Sequence, residues 1–195
     1  MIILGLTGSI GMGKSTTAKM FAAEGAAVYD ADAAVHSLYA GKAAPLIESA
    51  FPGTVKDGVV DRTALGKIVL GDAKAMKRLE AIIHPLVRSE EKAFLLRSRN
   101  ENRAVAVIDS PLLLETGGDV RVDAVVVVSA DAQTQKQRVL ARPGMDEEKL
   151  DSILSKQMSD ADKRKKAHFI VDTSKGMEAA ERAVKSILRS VAANA

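Results

Sequence analysis

Gly8-Ser9-Ile10-Gly11-Met12-Gly13-Lys14-Ser15 fits the spacing G-x-x-x-x-G-K-[ST] throughout, and the apolar run Ile2-Ile3-Leu4-Gly5-Leu6 stands just before it. A helical pattern follows from about Lys14 to Glu24, with Ala18, Phe21 and Ala22 on one face and Gly25 as its expected stop. Strand, glycine-rich turn and helix in that order make a phosphate-binding loop. Its glycines let backbone N–H groups curl around phosphate oxygens without Cβ clashes, and the helix start adds partial positive charge. Lys14 supplies a point charge for the β and γ phosphates, and Ser15 a hydroxyl for Mg2+. The ATP-binding set read from this stretch is Gly8, Gly11, Met12, Gly13, Lys14, Ser15 and Thr16.

Four more continuous apolar runs read as strands buried on both faces: Ala27-Val28-Tyr29, Val105-Ala106-Val107-Ile108, Ala124-Val125-Val126-Val127-Val128 and Phe169-Ile170-Val171. A last helix is expected over Met177 to Val191, where Ala180, Val184, Ile187, Leu188 and Val191 keep helical spacing. Alternating strands and helices predict an α/β fold, a three-layer P-loop architecture with a five-stranded parallel sheet. Two connections are too long for simple crossovers. The first carries helical patterns over Thr63 to Val69, Lys74 to Ile83 and Leu86 to Arg99; the second is charged and helical. Both leave strands at their carboxyl ends, where open α/β sheets bind ligands. The expected organisation is core over 1–30, a helical acceptor-binding insertion over 31–101, core over 102–129, a helical lid over 130–166 and core again over 167–195.

Composition narrows the function classes. The chain has 195 residues and no cysteine, which removes disulfide and thiol chemistry and fits a reducing compartment. Neither a leader segment nor a membrane span is legible, so a cytoplasmic protein is expected. The net charge of +3 owes much to Lys163-Arg164-Lys165-Lys166, but aromatics are only 3% and base-stacking surfaces are scarce. Small anionic substrates are the simpler expectation, with no nucleic-acid and no membrane partner. Oligomeric state is not legible.

Outside the loop, several polar residues invite a chemical reading. Asp30 and Asp32 stand at the carboxyl end of the second strand, where a carboxylate can take or orient an acceptor hydroxyl's proton. Asp32 reads equally well as the cap of a helix starting at Ala33, and position alone does not choose. Asp109 ends the third strand and can hold magnesium through a water, or simply close a turn before Pro111. Arg138 and Arg142 are four apart and would share a helix face, where paired guanidinium groups suit polyphosphate oxygens. His36, His84 and His168 show no metal spacing, and His84 before Pro85 reads as the start of the helix that follows.

In order along the chain stand the phosphate loop, Asp30-Ala31-Asp32, Asp61-Arg62-x-x-Leu65, Leu79-Glu80-x-Ile82-x-His84-Pro85 and Asp109-x-Pro111-Leu112-Leu113-x-Glu115. With these the sequence resembles the dephospho-coenzyme A kinases from Leu4 to about Asp172. The resemblance implies ATP-dependent phosphorylation of the ribose 3′-hydroxyl of dephospho-coenzyme A, with Mg2+. It implies Asp32 as the catalytic aspartate beside Lys14 of the loop, Arg138 and Arg142 as lid residues on ATP, and His84 and Arg88 on the acceptor, where Arg62 can add positive charge for the pyrophosphate. Ser15 and Asp109 would serve the metal, Asp109 through a water. One departure stands out: where the family usually carries Asn in a turn near the adenine, this chain has Asp172-Thr173-Ser174-Lys175-Gly176, and Thr173 receives no role.

A nucleoside or nucleotide monophosphate kinase would share ATP, magnesium and lid, but the His84-Pro85 and Asp109-to-Glu115 combination favours the dephospho-coenzyme A enzymes. A GTP-binding switch would need an Asn-Lys-x-Asp segment, which is absent, and Leu112 stands where a switch glycine would follow Asp109. A nucleic-acid-stimulated ATPase fits poorly with the scarce aromatics.

Overall fold

A computed structural model describes residues 1–192; the end of the expected last core segment, 193–195, lies outside the described residues. The elements in order are β1 (Ile2–Thr7), α1 (Lys14–Ala23), β2 (Ala27–Asp30), α2 (Ala31–Tyr39), α3 (Ala44–Ala50), β3 (Val55–Lys56), β4 (Val59–Val60), α4 (Arg62–Val69), α5 (Ala73–Asn100), β5 (Val105–Asp109), β6 (Ala124–Ser129), α6 (Ala132–Leu140), α7 (Glu147–Leu154), α8 (Asp160–Lys165), β7 (Phe169–Asp172) and α9 (Met177–Ala192). The sheet has five strands in the order β2-β5-β1-β6-β7. Its register pairs Leu4 with Val107 and Leu6 with Val126, both parallel. The chain divides into two compact units, one formed by Met1–Tyr29 with the chain from Ser98 onward, the other by Asp30–Arg97.

In the sheet unit, successive strand residues serve opposite faces. Val126 and Val128 pack with Leu4, Leu6, Phe21 of α1 and Ala180, Val184 and Ile187 of α9. Val125 and Val127 pack the other way, against Leu113 and Leu114, with Met158 and Ala167 beside them. A strand buried on both sides has no polar face to alternate, hence the unbroken valines. Each buried valine contributes on the order of 1.5–3 kcal/mol. Helix α1 buries Thr17, Ala18, Met20 and Phe21; Ala22, expected on the same face, is exposed. The helix closes as anticipated at Gly25: the N–H groups of Gly25 and Ala26 donate to the carbonyls of Ala22 and Phe21, satisfying two end carbonyls.

The second unit has its own core, with Leu38, Ile47, Phe51, Val60, Leu65, Leu79 and Ile83 at its centre. Asp61 opens α4 by accepting from the N–H groups of Thr63 and Ala64. One expectation fails here. The two helices expected on either side of His84-Pro85 are a single helix, α5, with Pro85 inside it. Proline removes one N–H, and the carbonyl it strands, that of Ala81, lies on the exposed side, where water can satisfy it. His84 therefore stands mid-helix and starts nothing.

Candidate active site

The phosphate loop leaves β1 at Thr7 and enters α1 at Lys14. Two of its glycines are fixed by close approach. A Cβ on Gly8 would lie 2.7 Å from the Val128 carbonyl, and one on Gly11 would meet Val139 at 2.6 Å. Gly11 also has φ +80°, which side chains rarely tolerate. Ser15 and Thr16 are exposed in the first turn of α1. The Met12 side chain points elsewhere: it is buried in the core, so whatever Met12 offers a nucleotide comes from its backbone.

Lys14 Nζ donates to Asp109 Oδ1 at 2.6 Å. Asp109 is the last residue of β5 and is only 3% exposed. The register of β1 against β5, Leu6 opposite Asp109, is what brings this carboxylate beside the loop. An ion pair this short in a shielded setting is a charge-assisted hydrogen bond.

Arg138 of α6 donates to both oxygens of Thr173, to Oγ1 at 2.8 Å and to the carbonyl at 3.0 Å. Thr173 Oγ1 in turn donates to the Met12 carbonyl at 2.8 Å. The threonine is thus a rivet between α6, the turn after β7 and the phosphate loop. Arg142 does not share Arg138's helix face as expected, because α6 ends at Leu140 with Ala141 as its cap. The cause is Pro143, whose ring pushes Arg142 out of the helical region. Arg142 is exposed beyond that end.

A second ion pair joins α8 to the segment after β5. Lys163 of α8, fully buried, reaches Glu115 Oε1 at 2.9 Å, the Pro111 carbonyl at 2.9 Å and Thr7 Oγ1 at 3.4 Å. Burial pushes the Glu115 carboxyl up, but the Lys163 ammonium and the Met158 N–H pull harder, and the net shift is downward.

Against known proteins, the chain matches the family described as CoaE, dephospho-CoA kinase, over residues 2–179. A dephospho-CoA kinase of Mesorhizobium japonicum is 65% identical over 96% of this chain and 95% of the relative. One from Rhodopseudomonas palustris is 57% identical over 98% of this chain and 96% of the relative. Among solved structures, TT1252 from Thermus thermophilus superposes with a TM-score of 0.86 at 33% identity, over 97% of each chain. The chain belongs to the dephospho-CoA kinase family.

For a dephospho-CoA kinase, the remaining expected residues fall in the unit Asp30–Arg97. Asp30 is the residue that caps α2, accepting from the Ala33 N–H at 2.9 Å. The capping reading of Asp32 is therefore overturned. Asp32 sits in the first turn, exposed, with no hydrogen-bond partner among the described residues. His84 and Arg88 lie one turn apart on α5, both exposed, and so share a face. Arg62 starts α4, exposed, near enough to Tyr39 that its charge opposes the upward push of burial on that phenol. Among the described residues there is no cluster of three or more His, Cys, Asp or Glu able to hold a metal ion. Thr173, Glu115 and Lys163 had no role in the sequence reading. For Thr173 and Lys163, neither burial nor partners leave a mark at the level of residue type.

Proposed function

We propose that this dephospho-CoA kinase family member transfers the γ-phosphoryl group of ATP to the ribose 3′-hydroxyl of dephospho-coenzyme A. The products are coenzyme A and ADP, the last step of coenzyme A synthesis, carried out in the cytoplasm. The observation that carries the reading is the family match over residues 2–179, which includes an unbroken phosphate loop.

Within that reaction the backbone of Gly8 to Gly13 cradles the phosphates, and Lys14 balances charge on the β and γ groups. Ser15 and Asp109 are hard oxygen donors, the type Mg2+ prefers, and it is ordinarily held by one or two such groups plus phosphate and water. When bound, the metal neutralises charge developing on the transferred group. Asp32 takes the role of orienting the acceptor hydroxyl and receiving its proton, which its exposed, uncommitted carboxylate allows. Arg138 and Arg142 serve ATP, and Arg62, His84 and Arg88 serve the anionic groups of the acceptor.

The deciding experiment is acceptor competition. Given ATP and Mg2+, the protein phosphorylates dephospho-coenzyme A far faster than AMP, CMP, UMP or GMP, and NMR places the new phosphate on the ribose 3′-oxygen. Equal rates with the monophosphates, or a new anhydride on an existing phosphate, would show a monophosphate kinase instead.

A further inference from the structure

Ile10, inside the phosphate loop, is gripped on both sides by glutamine side chains from the segment between β6 and β7. Gln135 of α6 donates from Nε2 to the Ile10 carbonyl at 2.7 Å. Gln157, between α7 and α8, accepts the Ile10 N–H on Oε1 at 3.2 Å. Gln135 is 8% exposed, so its bond is shielded from competing water. The two bonds have opposite polarity: one glutamine is used only as a donor, the other only as an acceptor.

The consequence follows from peptide planarity. In a trans peptide the C=O and the next N–H point in opposite directions. Holding the Ile10 carbonyl toward Gln135 therefore turns the Gly11 N–H away from α6. Holding the Ile10 N–H toward Gln157 turns the Ser9 carbonyl away from Gln157, and that carbonyl accepts the Met12 N–H at 3.2 Å. Both soft dihedrals of Ile10 are thus set from outside the loop. A glycine-flanked loop would otherwise sample many peptide orientations, because Gly11 carries no side chain to restrict it.

We propose that Gln135 and Gln157 are positioning residues for phosphoryl transfer: together they fix the two peptide planes flanking Ile10 and so aim the loop's N–H groups at the phosphates. Because both come from the segment between β6 and β7, they also make the loop's shape depend on where that segment lies. Movement of α6 or of the α7–α8 connection releases one plane or the other. The inference rests on the phosphate-loop reading of Gly8 to Ser15.

The test uses the opposite polarity of the two bonds. Gln157→Leu and Gln135→Leu each remove a bond, and each lowers kcat about tenfold while KM for dephospho-coenzyme A changes by less than about twofold. Gln157→Glu keeps the acceptor and recovers most of the lost kcat. Gln135→Glu cannot donate while ionised, and recovers none when kcat is read at alkaline pH, where the carboxyl is deprotonated. At that pH both glutamates place a negative charge beside the same residue, so the presence of a charge is common to the two variants. A merely structural role would move the melting temperature without this donor–acceptor split. Equal kcat for Gln157→Glu and Gln157→Leu overturns the proposal, as does recovery by Gln135→Glu. Should the buried Gln135 variants fail to fold, the Gln157 pair decides alone. Lys14→Ala run alongside separates the two levels. If it retains turnover, the phosphate-loop reading falls; if it loses turnover while the glutamine pattern is absent, only this inference falls.

Discussion

Lys14 and Asp109 face each other at 2.6 Å, so the single side-chain cation of the phosphate loop is held by a carboxylate on the neighbouring strand. Lys14 is therefore more than a group waiting for phosphate. Lys14→Ala lowers turnover by about 10²-fold or more, because phosphoryl transfer depends on charge placement. It also strips a charge-assisted bond from a carboxylate with 4% side-chain exposure, at about 1.5–3 kcal/mol of stability. Turnover must accordingly be read per folded molecule, with a melting curve beside each rate. Wild-type turnover in the folded variant refutes the loop assignment.

Capping and chemistry separate cleanly between Asp30 and Asp32. Asp30→Ala removes the α2 cap and lowers the melting temperature by roughly 2–4 °C. Asp32→Asn leaves the cap intact and lowers kcat about 10²–10⁴-fold with little thermal change. A drop in stability without a drop in rate for Asp32→Asn would remove it from the chemistry.

Lys163→Met strands Glu115, whose side chain is 17% exposed, and costs about 3–5 kcal/mol. Adding Glu115→Gln removes the stranded charge but keeps an oxygen for the Met158 N–H, and recovers much of that loss. Chemical denaturation of both variants checks this. A double variant no more stable than the single one would show that the pair is not the source of the effect.

Asp61 gives a pH-dependent signature in the second unit. Its carboxyl is lowered to about 2, first by the hydrogen bond from Lys56, then by the Ala64 N–H at the start of α4. A carboxyl depressed in the folded state stabilises fully above its unfolded value of about 4, and that contribution disappears as pH falls toward 2. An NMR titration should place Asp61 well below the usual aspartate range, and Lys56→Met should raise it. An unshifted Asp61 refutes the pairing.

What the sequence showed and what it hid divide along physical lines. The five strands were legible because burial on both faces leaves continuous apolar runs, and the phosphate loop because its chemistry demands fixed spacing. The α5 helix was misread as two because Pro85 is a strong local breaker, and only its exposed setting makes it tolerable. Arg142 was placed on a helix face although Pro143, beside it, marks the helix end. Lys163 lay hidden in a basic run whose other members, Arg164, Lys165 and Lys166, are exposed; only the tertiary fold buries it. Thr173, Gln135 and Gln157 are uncharged, and their importance lies in which atoms of other elements they reach.

The strand order β2-β5-β1-β6-β7 sets a timetable for synthesis. β1 emerges first, yet both of its neighbours lie beyond residue 104, and β2 must also wait for β5. Pairings so distant in sequence form late, after the entropy of closing a long loop has been met. The unit Asp30–Arg97 draws its core from residues within its own span, all of them translated before β5. Nascent chains arrested just after β5, with β5 still inside the exit tunnel, should protect amides of that unit while those of β1 exchange freely. The phosphate loop, translated almost first, acquires its shape only when the strands on either side of it have been made.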